Sequence, residues 1–273
     1  VKKRLLFFGV ILSLALFFNI SSVFAEEILN FHSDITIQKN SVLLIQETII
    51  YDFGNLQKHG IYRDIPLGNS DIKVQKVLDE YDAPYEYSIS RQGGYLKIKI
   101  GDANFTISGI HTYNIFYSVS GGLKFFKDHD ELYWNVTGND WQVSIENSSA
   151  KITLPQSLVE KDLQFACFTG VYGSKISECN WQTDSQGNIV FESTRNFSAK
   201  EGLTLVLGWP KGIVKQSFFA PLIIWLQKFW PVFIPILVFI FLFRRWWKDG
   251  KDYPLKGPVI ALYEPPANLK PAQ

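Results

Sequence analysis

The stretch Leu96-Lys97-Ile98-Lys99-Ile100 decides the fold class of this chain. Its apolar and charged side chains alternate, so one face of an extended segment is apolar and the other is wet. This alternation is typical of a half-buried β-strand. The same pattern recurs further along the chain at Tyr113, Ile115, Tyr117 and Val119.

Turn-like clusters separate further strand-like runs. Residues 38–41 (Gln-Lys-Asn-Ser) lie between Ile35 and Ile37 on one side and the β-branched run 42–51 on the other, which predicts a hairpin. No helical stripe interrupts residues 26–210, and the remaining runs are 131–136, 141–145, 150–154, 188–192 and 203–207. We therefore predict a mainly β fold, an exported antiparallel β-sandwich over 26–210 followed by a C-terminal transmembrane helix.

The charges are distributed unevenly. The 273 residues include 27 Lys and Arg against 26 Asp and Glu, a net charge of +1, which argues against a nucleic-acid partner. By segment, however, the charge is +3 over residues 1–25, −6 over 26–216 and +4 over 217–273. An acidic middle between two basic ends indicates a membrane protein.

The amino terminus has the pattern of a secretory signal peptide over residues 1–25. Lys2, Lys3 and Arg4 precede an apolar run from Leu5 to Ile20, and Ala25 offers a cleavage site before two acidic residues. The alternative is a retained signal anchor, for which a run of about 16 residues is short.

A second apolar region, residues 218–243, predicts a membrane span after a stalk at 211–217. Arg244, Arg245, Lys248 and Lys251 follow it, and the positive-inside rule places this side in the cytoplasm. We expect a single-pass protein of the cell membrane, with the N-terminal domain outside and a short tail at 244–273 inside. The alternative is a buried core helix of a soluble protein.

Five motifs resemble a known family, in the same order and at similar spacing. They are residues 60–66 (Gly-Ile-Tyr-Arg-Asp-Ile-Pro), 98–102, 113–117, 131–138 (Glu-Leu-Tyr-Trp-Asn-Val-Thr-Gly) and 263–266 (Tyr-Glu-Pro-Pro). Together they resemble the predicted bacterial membrane proteins called domain of unknown function 2207. The resemblance implies an exported β domain, membrane helices and a further cytoplasmic or membrane segment, but no biochemical activity. Because the chain ends where that segment would begin, we expect a truncated reading frame.

Arg63 and Asp64 form the first candidate ligand-binding site. The planar guanidinium of Arg63 could clamp a carboxylate or phosphate. In the alternative, Gly60 and Pro66 shape a turn and Arg63 pairs internally with an acid.

Asp128, His129, Asp130 and Glu131 form the second candidate, the densest polar cluster of the chain. Such groups could bind a hard cation or orient a general base. Because no second His or Cys lies at metal spacing, we expect no metal site, and a solvated turn is the alternative.

Aromatic residues offer a third possibility. Trp134, Trp141, Tyr133 and Tyr117 could form a platform for a sugar or a peptide, but inward-facing aromatic side chains of a sandwich more often belong to the core. We expect the core role.

Cys167 and Cys179 are the only cysteines, both in the predicted exported domain. A disulfide between them is permitted there and would contribute about 3 kcal/mol in the chain-entropy model. Two reduced thiols are the alternative.

No motif of a nucleophilic or phosphate-binding enzyme is present, which argues against catalysis, and we expect no cofactor. The leading hypothesis is a membrane-anchored cell-envelope protein whose β domain serves binding or interaction. Its partners would be the lipid bilayer and either envelope components or another membrane protein. The alternatives are an enzyme acting on envelope polymers and a structural subunit of a membrane assembly.

Overall fold

The computed structural model describes residues 26–216 and 219–250. The predicted signal peptide, 1–25, and residues 251–273 of the predicted tail lie outside the described residues. The chain divides between Ile224 and Trp225 into two compact units, and each is described by itself.

Fourteen strands make up the described part of the first unit. In chain order they are β1 (Glu27–Ile37), β2 (Leu43–Asp52), β3 (Ile61–Pro66), β4 (Asp71–Leu78), β5 (Tyr87–Gln92), β6 (Tyr95–Ile100), β7 (Ile110–Ser120), β8 (Leu123–Phe125), β9 (His129–Asn135), β10 (Ser144–Thr153), β11 (Gln164–Val171), β12 (Cys179–Thr183), β13 (Ile189–Ser193) and β14 (Glu201–Pro210). A single 3-10 turn, Glu160–Asp162, precedes β11.

The strands form three sheets. A seven-stranded sheet has the order β12-β13-β10-β1-β2-β7-β4, a four-stranded sheet the order β11-β14-β9-β8, and a three-stranded sheet the order β3-β6-β5. Neighbours pair antiparallel except for β1 and β10, which run parallel from Glu27 opposite Ser144 to Thr36 opposite Thr153. The sheet architecture is therefore mixed at this one pair, which the sequence pattern did not predict.

The alternation that predicted the strands also places the core. In β6, Leu96, Ile98 and Ile100 are buried, whereas Lys97 and Lys99 on the opposite face are partly exposed. The hairpin predicted around residues 38–41 is β1–β2. Buried side chains of all three sheets belong to one hydrophobic core, and the predicted mainly β fold is confirmed.

The second unit contains most of one long helix, α1 (Phe219–Asp249), with Pro231 and Pro235 inside it. Its 31 residues correspond to about 46 Å of helix. Within the segment Phe229–Asp249, a window of 18 residues has a mean hydropathy of 1.6, and none of that window is buried. Among the described residues this segment is the one helix long and apolar enough to cross a bilayer, and it extends past the predicted end of the span at residue 243.

The residues predicted to form a stalk, 211–217, contact the β domain over their described part. Lys211 Nζ lies 2.6 Å from Asp130 Oδ1, Val214 is buried, and the backbone N–H of Lys215 donates to the carbonyl of Lys39. Lys211, Val214 and Lys215 of this segment thus contact the β domain.

Candidate binding cleft

A cleft of about 480 Å³ lies over the outer face of the four-stranded sheet. In its floor Asn135 of β9 pairs with Thr204 of β14, which pairs with Phe168 of β11, so these three side chains point from the same face. The cleft is lined by residues 65–68, 70, 122, 133–135, 139, 168–174, 202 and 204. Five separate segments of the chain thus meet around it.

Two asparagines in the cleft have their amide orientations fixed by hydrogen bonds. Asn135 Nδ2 donates to Asn139 Oδ1 at 2.8 Å, and Asn139 Nδ2 donates to the carbonyl of Gly170 at 2.9 Å. Asn135 Oδ1 accepts from the backbone N–H of Gly138 at 3.0 Å. Each amide nitrogen retains a second N–H that no group of the described chain accepts, so both amides can donate to a ligand.

Exposed tyrosines border the cleft. Tyr133 in the floor is 46% exposed, and Tyr172, in the turn after β11, is 91% exposed. Tyrosine offers a large, stiff and amphipathic contact surface at a small cost in conformational entropy. Tyr172 is therefore available to a ligand, whereas Lys124 Nζ lies over one face of the Tyr133 ring, 4.3 Å from its centroid, and leaves the other face for a ligand.

The cleft continues into an adjacent cavity of about 520 Å³, which shares Pro66, Asn135, Asn139, Val171 and Tyr172 with it. The second cavity adds Tyr95, Asp140 and Lys200, among other residues. The charge of Asp140, together with partial burial and a hydrogen bond to the same carboxylate, raises the pKa of the Tyr95 phenol above its usual value. Among the described lining residues of the two cavities, the charged side chains, Asp140 and Lys200, belong to the second one.

None of the described side chains that line the first cavity is charged. Aromatic rings, amides and hydroxyls suit a ligand that is neutral, has apolar faces and forms hydrogen bonds. A phosphate or a carboxylate would meet no cation in this lining, and Lys124, whose Nζ lies over the ring of Tyr133, is paired with Glu131 at 3.3 Å. A metal ion would meet no carboxylate or imidazole in the lining.

Arg63 is not available to a ligand, because all five of its N–H groups are used inside the domain. Nε and Nη2 donate to the two carboxylate oxygens of Glu47, each at 2.7 Å. The other three N–H groups donate to the carbonyls of Asp64, Val136 and Thr137. Burial alone would lower the pKa of Arg63, but the carboxylate of Glu47 outweighs it and raises that pKa.

Asp64 points away from Arg63 and forms an ion pair with Lys97 at 3.3 Å. It lines a third cavity, about 560 Å³, in which Lys58 also pairs with Glu26 at 2.6 Å. Because these charges are matched within the chain, this cavity is the weaker candidate for a binding site.

The second predicted cluster is divided among different partners. Asp128 pairs with His129, whose hydrogen bond lowers the pKa of the Asp128 carboxyl, and Glu131 pairs with Lys124 at 3.3 Å. Asp130 is 1% exposed and bonds to Lys211. Asp130 and Val136, whose carbonyl contacts Arg63, are six positions apart, about 20 Å of strand, so the structure does not bring the two predicted clusters together.

The four aromatic residues of the third candidate lie in two different environments. Trp134, Trp141 and Tyr117 are buried in the core, as expected, whereas Tyr133 is exposed at the cleft. Tyr95, Asn139 and Tyr172 were not predicted from the sequence. The local signals for the last two are the turn-forming pair Gly138-Asn139 and the glycines on both sides of Val171-Tyr172.

The two cysteines flank the segment that forms one wall of the cleft. Cys167 of β11 and Cys179 of β12 are placed for a disulfide, with Cα atoms 6.5 Å apart. The segment between them carries residues 168–174 of the cleft lining. Among the described residues, no group of three or more His, Cys, Asp or Glu side chains is arranged to hold a metal ion.

Solved structures with a similar fold are distant. Yeast LTA4 hydrolase is 13% identical with a TM-score of 0.44, over 69% of this chain and 30% of that one. An M1 zinc metallopeptidase from Deinococcus radiodurans is 9% identical with a TM-score of 0.42, over 68% of this chain and 42% of that one. At these levels of similarity no peptidase activity can be inferred.

Sequence relatives are more informative. The uncharacterized protein YciQ of Escherichia coli (strain K12) is 27% identical over 204 residues, which are 71% of this chain. The chain spans about a third of the length of that relative, 32%. The profile of the predicted membrane protein (DUF2207) N-terminal domain matches residues 27–209, more than half of the chain. The chain therefore belongs to the DUF2207 family of predicted membrane proteins.

Proposed function

We propose that this membrane protein binds a ligand outside the cytoplasmic membrane, and that the uncharged cleft of its β domain is the binding site. The observation that carries the proposal is the combination of two pre-oriented amides, Asn135 and Asn139, with the exposed ring of Tyr172. Polar groups fixed in advance cost little to order when a ligand binds.

The basic residues near the end of α1 support an outside location of the β domain. Arg244, Arg245 and Lys248 lie in the last turns of the helix. By the positive-inside rule this end faces the cytoplasm, which leaves the β domain on the other side. The placement of Cys167 and Cys179 for a disulfide also favours an oxidising compartment.

An enzyme acting on envelope polymers is the less favoured alternative. Hydrolysis of a glycosidic bond commonly uses two carboxyl groups on opposite sides of the bond. The described lining of the first cavity offers none, and Asp140 of the adjacent cavity already contacts Tyr95.

The binding role can be tested with the full chain in phospholipid nanodiscs. Neutral oligosaccharides, uncharged peptides and anionic polymers would be titrated against it by calorimetry. We expect at least one class to bind and to lose affinity in Tyr172→Ala. The matched control is Tyr81→Ala, since Tyr81 is 82% exposed and lies outside the cleft. Binding that is equal in both variants, or no binding of any class, would contradict the proposal.

The orientation needs a separate test. Protease added to spheroplasts is expected to digest the β domain, whereas an epitope fused after residue 273 should survive until the membrane is permeabilised. If the protease digested only the epitope, the proposed orientation would be wrong and the β domain would face the cytoplasm.

A further inference from the structure

We propose that the ligand of the cleft is a neutral glycan chain of several sugar units, an inference that rests on the proposed binding function. Three features of the cleft carry it: the uncharged lining of the first cavity, the spare hydrogen-bond donors, and the tyrosines, of which Tyr133 and Tyr172 are exposed and Tyr95 is partly exposed. A fourth feature, the continuation of the cleft into the second cavity, indicates that the glycan has several sugar units.

The charge of the lining selects a neutral ligand. A buried or half-buried ionic group without a counter-charge is costly because it loses its hydration. Phosphate-rich and uronate-rich polymers would place repeated negative charges against a first cavity whose described lining has no cation, and in the second cavity they would meet Asp140 as well as Lys200. A neutral sugar carries no such cost.

The hydrogen-bonding groups match hydroxyl-rich ligands. The second N–H groups of Asn135 and Asn139 are held in place by the bonds that the first ones make. Thr204 adds a hydroxyl in the floor, which can donate or accept. Sugar hydroxyls also donate and accept, so each finds a partner without a formal charge on either side.

The aromatic groups match the apolar faces of sugar rings. Tyr133 and Tyr172 border the first cavity, and Tyr95 borders the second. One face of a sugar ring presents C–H groups, which pack on the negatively polarised face of an aromatic ring. Tyrosines in both cavities therefore suit more than one ring of a glycan chain.

The length of the groove indicates more than one sugar unit. The two cavities meet at Asn139 and Tyr172, and the first alone, about 480 Å³, is within the range of about 300–1,000 Å³ for whole small-molecule sites. A single sugar would leave Tyr95 without contact.

The floor of the cleft argues against an extended peptide. Peptides are commonly bound by adding a strand to an open sheet edge, through backbone hydrogen bonds. Here β14, in the floor, is paired on both sides, with β11 and with β9. One edge strand of this sheet is β11, and the backbone N–H of Thr169 on it already donates to the carbonyl of Ile176 in the segment that follows. Selectivity would have to come from the side chains of the floor.

The test uses the full chain in phospholipid nanodiscs, because alkyl glycoside detergents carry the proposed ligand chemistry. N-acetylglucosamine and glucose oligomers, each from the monosaccharide to the hexasaccharide, would be titrated by calorimetry. We expect affinity to rise with chain length in at least one series. Tyr172→Ala should weaken the binding of the longer oligomers about tenfold, whereas Tyr172→Phe, which keeps the ring, should retain most of it.

The controls separate this inference from the binding role itself. Tyr81→Ala should leave the affinity unchanged, and equal thermal melting of all variants would exclude misfolding. If uncharged peptides or anionic polymers bind in a Tyr172-dependent manner and no neutral oligosaccharide does, the glycan proposal is overturned while the binding function stands. If no class binds through the cleft, both fail.

Discussion

Arg63 and Glu47 form a bidentate ion pair inside the β domain, and both side chains are almost inaccessible to solvent, 1% and 0% exposed. The hydroxyl of Tyr117 donates to the same carboxylate at 2.6 Å. Burial first and the charge of Glu47 second raise the pKa of this tyrosine well above its usual value. The pair joins β2, β3 and β7, together with the segment after β9, and its role is to hold these elements together.

We predict that Arg63→Lys destabilises the β domain by about 3 kcal/mol. A lysine ammonium cannot span both carboxylate oxygens and also reach the carbonyls of Val136 and Thr137. Urea denaturation followed by tryptophan fluorescence would measure the loss. The control is Arg91→Lys, since the ion pair of Arg91 with Asp71 is exposed and should contribute less than about 1 kcal/mol.

The opposite outcome would restore the ligand-clamp interpretation of Arg63. A variant that keeps its urea midpoint but loses ligand binding would show that the guanidinium contacts the ligand and not only Glu47.

The strands could be predicted because their signal is local. Alternation within residues 96–100 depends on neighbouring positions, so one face of β6 is identified without knowing its partners. The parallel pair β1–β10 has no such signal, since it joins His32 to Ser149 across the chain. Its formation depends on which strands best cover the shared core.

The site could be predicted only in part, for the same reason. The sequence shows that Arg63 lies between a glycine and a proline, but it does not show which of the many acidic residues pairs with Arg63. Gly138-Asn139 is a local turn signal, but a second role of Gly138 appears only in the fold, where φ is 77° and a Cβ would lie 2.8 Å from Arg63 Nη1. The cleft combines segments distant in sequence, so no local motif marked it.

Stability should fall at acid pH through Asp34. The hydrogen bond from His32, opposed by burial and assisted by Lys151, lowers the pKa of this carboxyl from 3.8 to about 2. Because the folded-state pKa lies below the unfolded one, the contribution is complete above about pH 4 and is lost as the pH falls towards 2. After allowance for solvent screening it should be about 1 kcal/mol.

Denaturation curves of the parent chain and of Asp34→Asn would check this. They would be measured between about pH 5 and about pH 2, a range that includes both the unfolded-state and the folded-state pKa of Asp34. The variant should lose less stability over this range than the parent chain. Glu146→Gln, at an exposed position of β10, is the control and should behave like the parent. If Asp34→Asn lost as much stability over this pH range as the parent chain, Asp34 would not be the source of the acid sensitivity.

Lys211 should fix residues 211–216 to the β domain. Lys211→Met leaves the carboxylate of Asp130 buried without its cation, which should cost about 2 kcal/mol. Amide hydrogen exchange should then accelerate at Val214 and Lys215. Lys215→Met is the matched control, because Lys215 is exposed and contacts Lys39 only through its backbone. Equal exchange in both variants would mean that the ion pair does not hold this segment.

Reduction of the predicted bond between Cys167 and Cys179 should affect both stability and the cleft. In the chain-entropy model, opening a loop whose ends are 12 positions apart costs about 3 kcal/mol. The segment released carries Tyr172, so a ligand would also have to order one wall of the cleft, and its affinity should fall. Non-reducing mass spectrometry would first establish the bond, and urea denaturation with and without a phosphine reductant would then measure its effect. The double variant Cys167→Ala/Cys179→Ala should resemble the reduced chain and be insensitive to the reductant. If the reductant leaves the midpoint of the parent chain unchanged although the bond is shown to be cleaved, the wall is held by its backbone pairing with β14 and not by the cysteines.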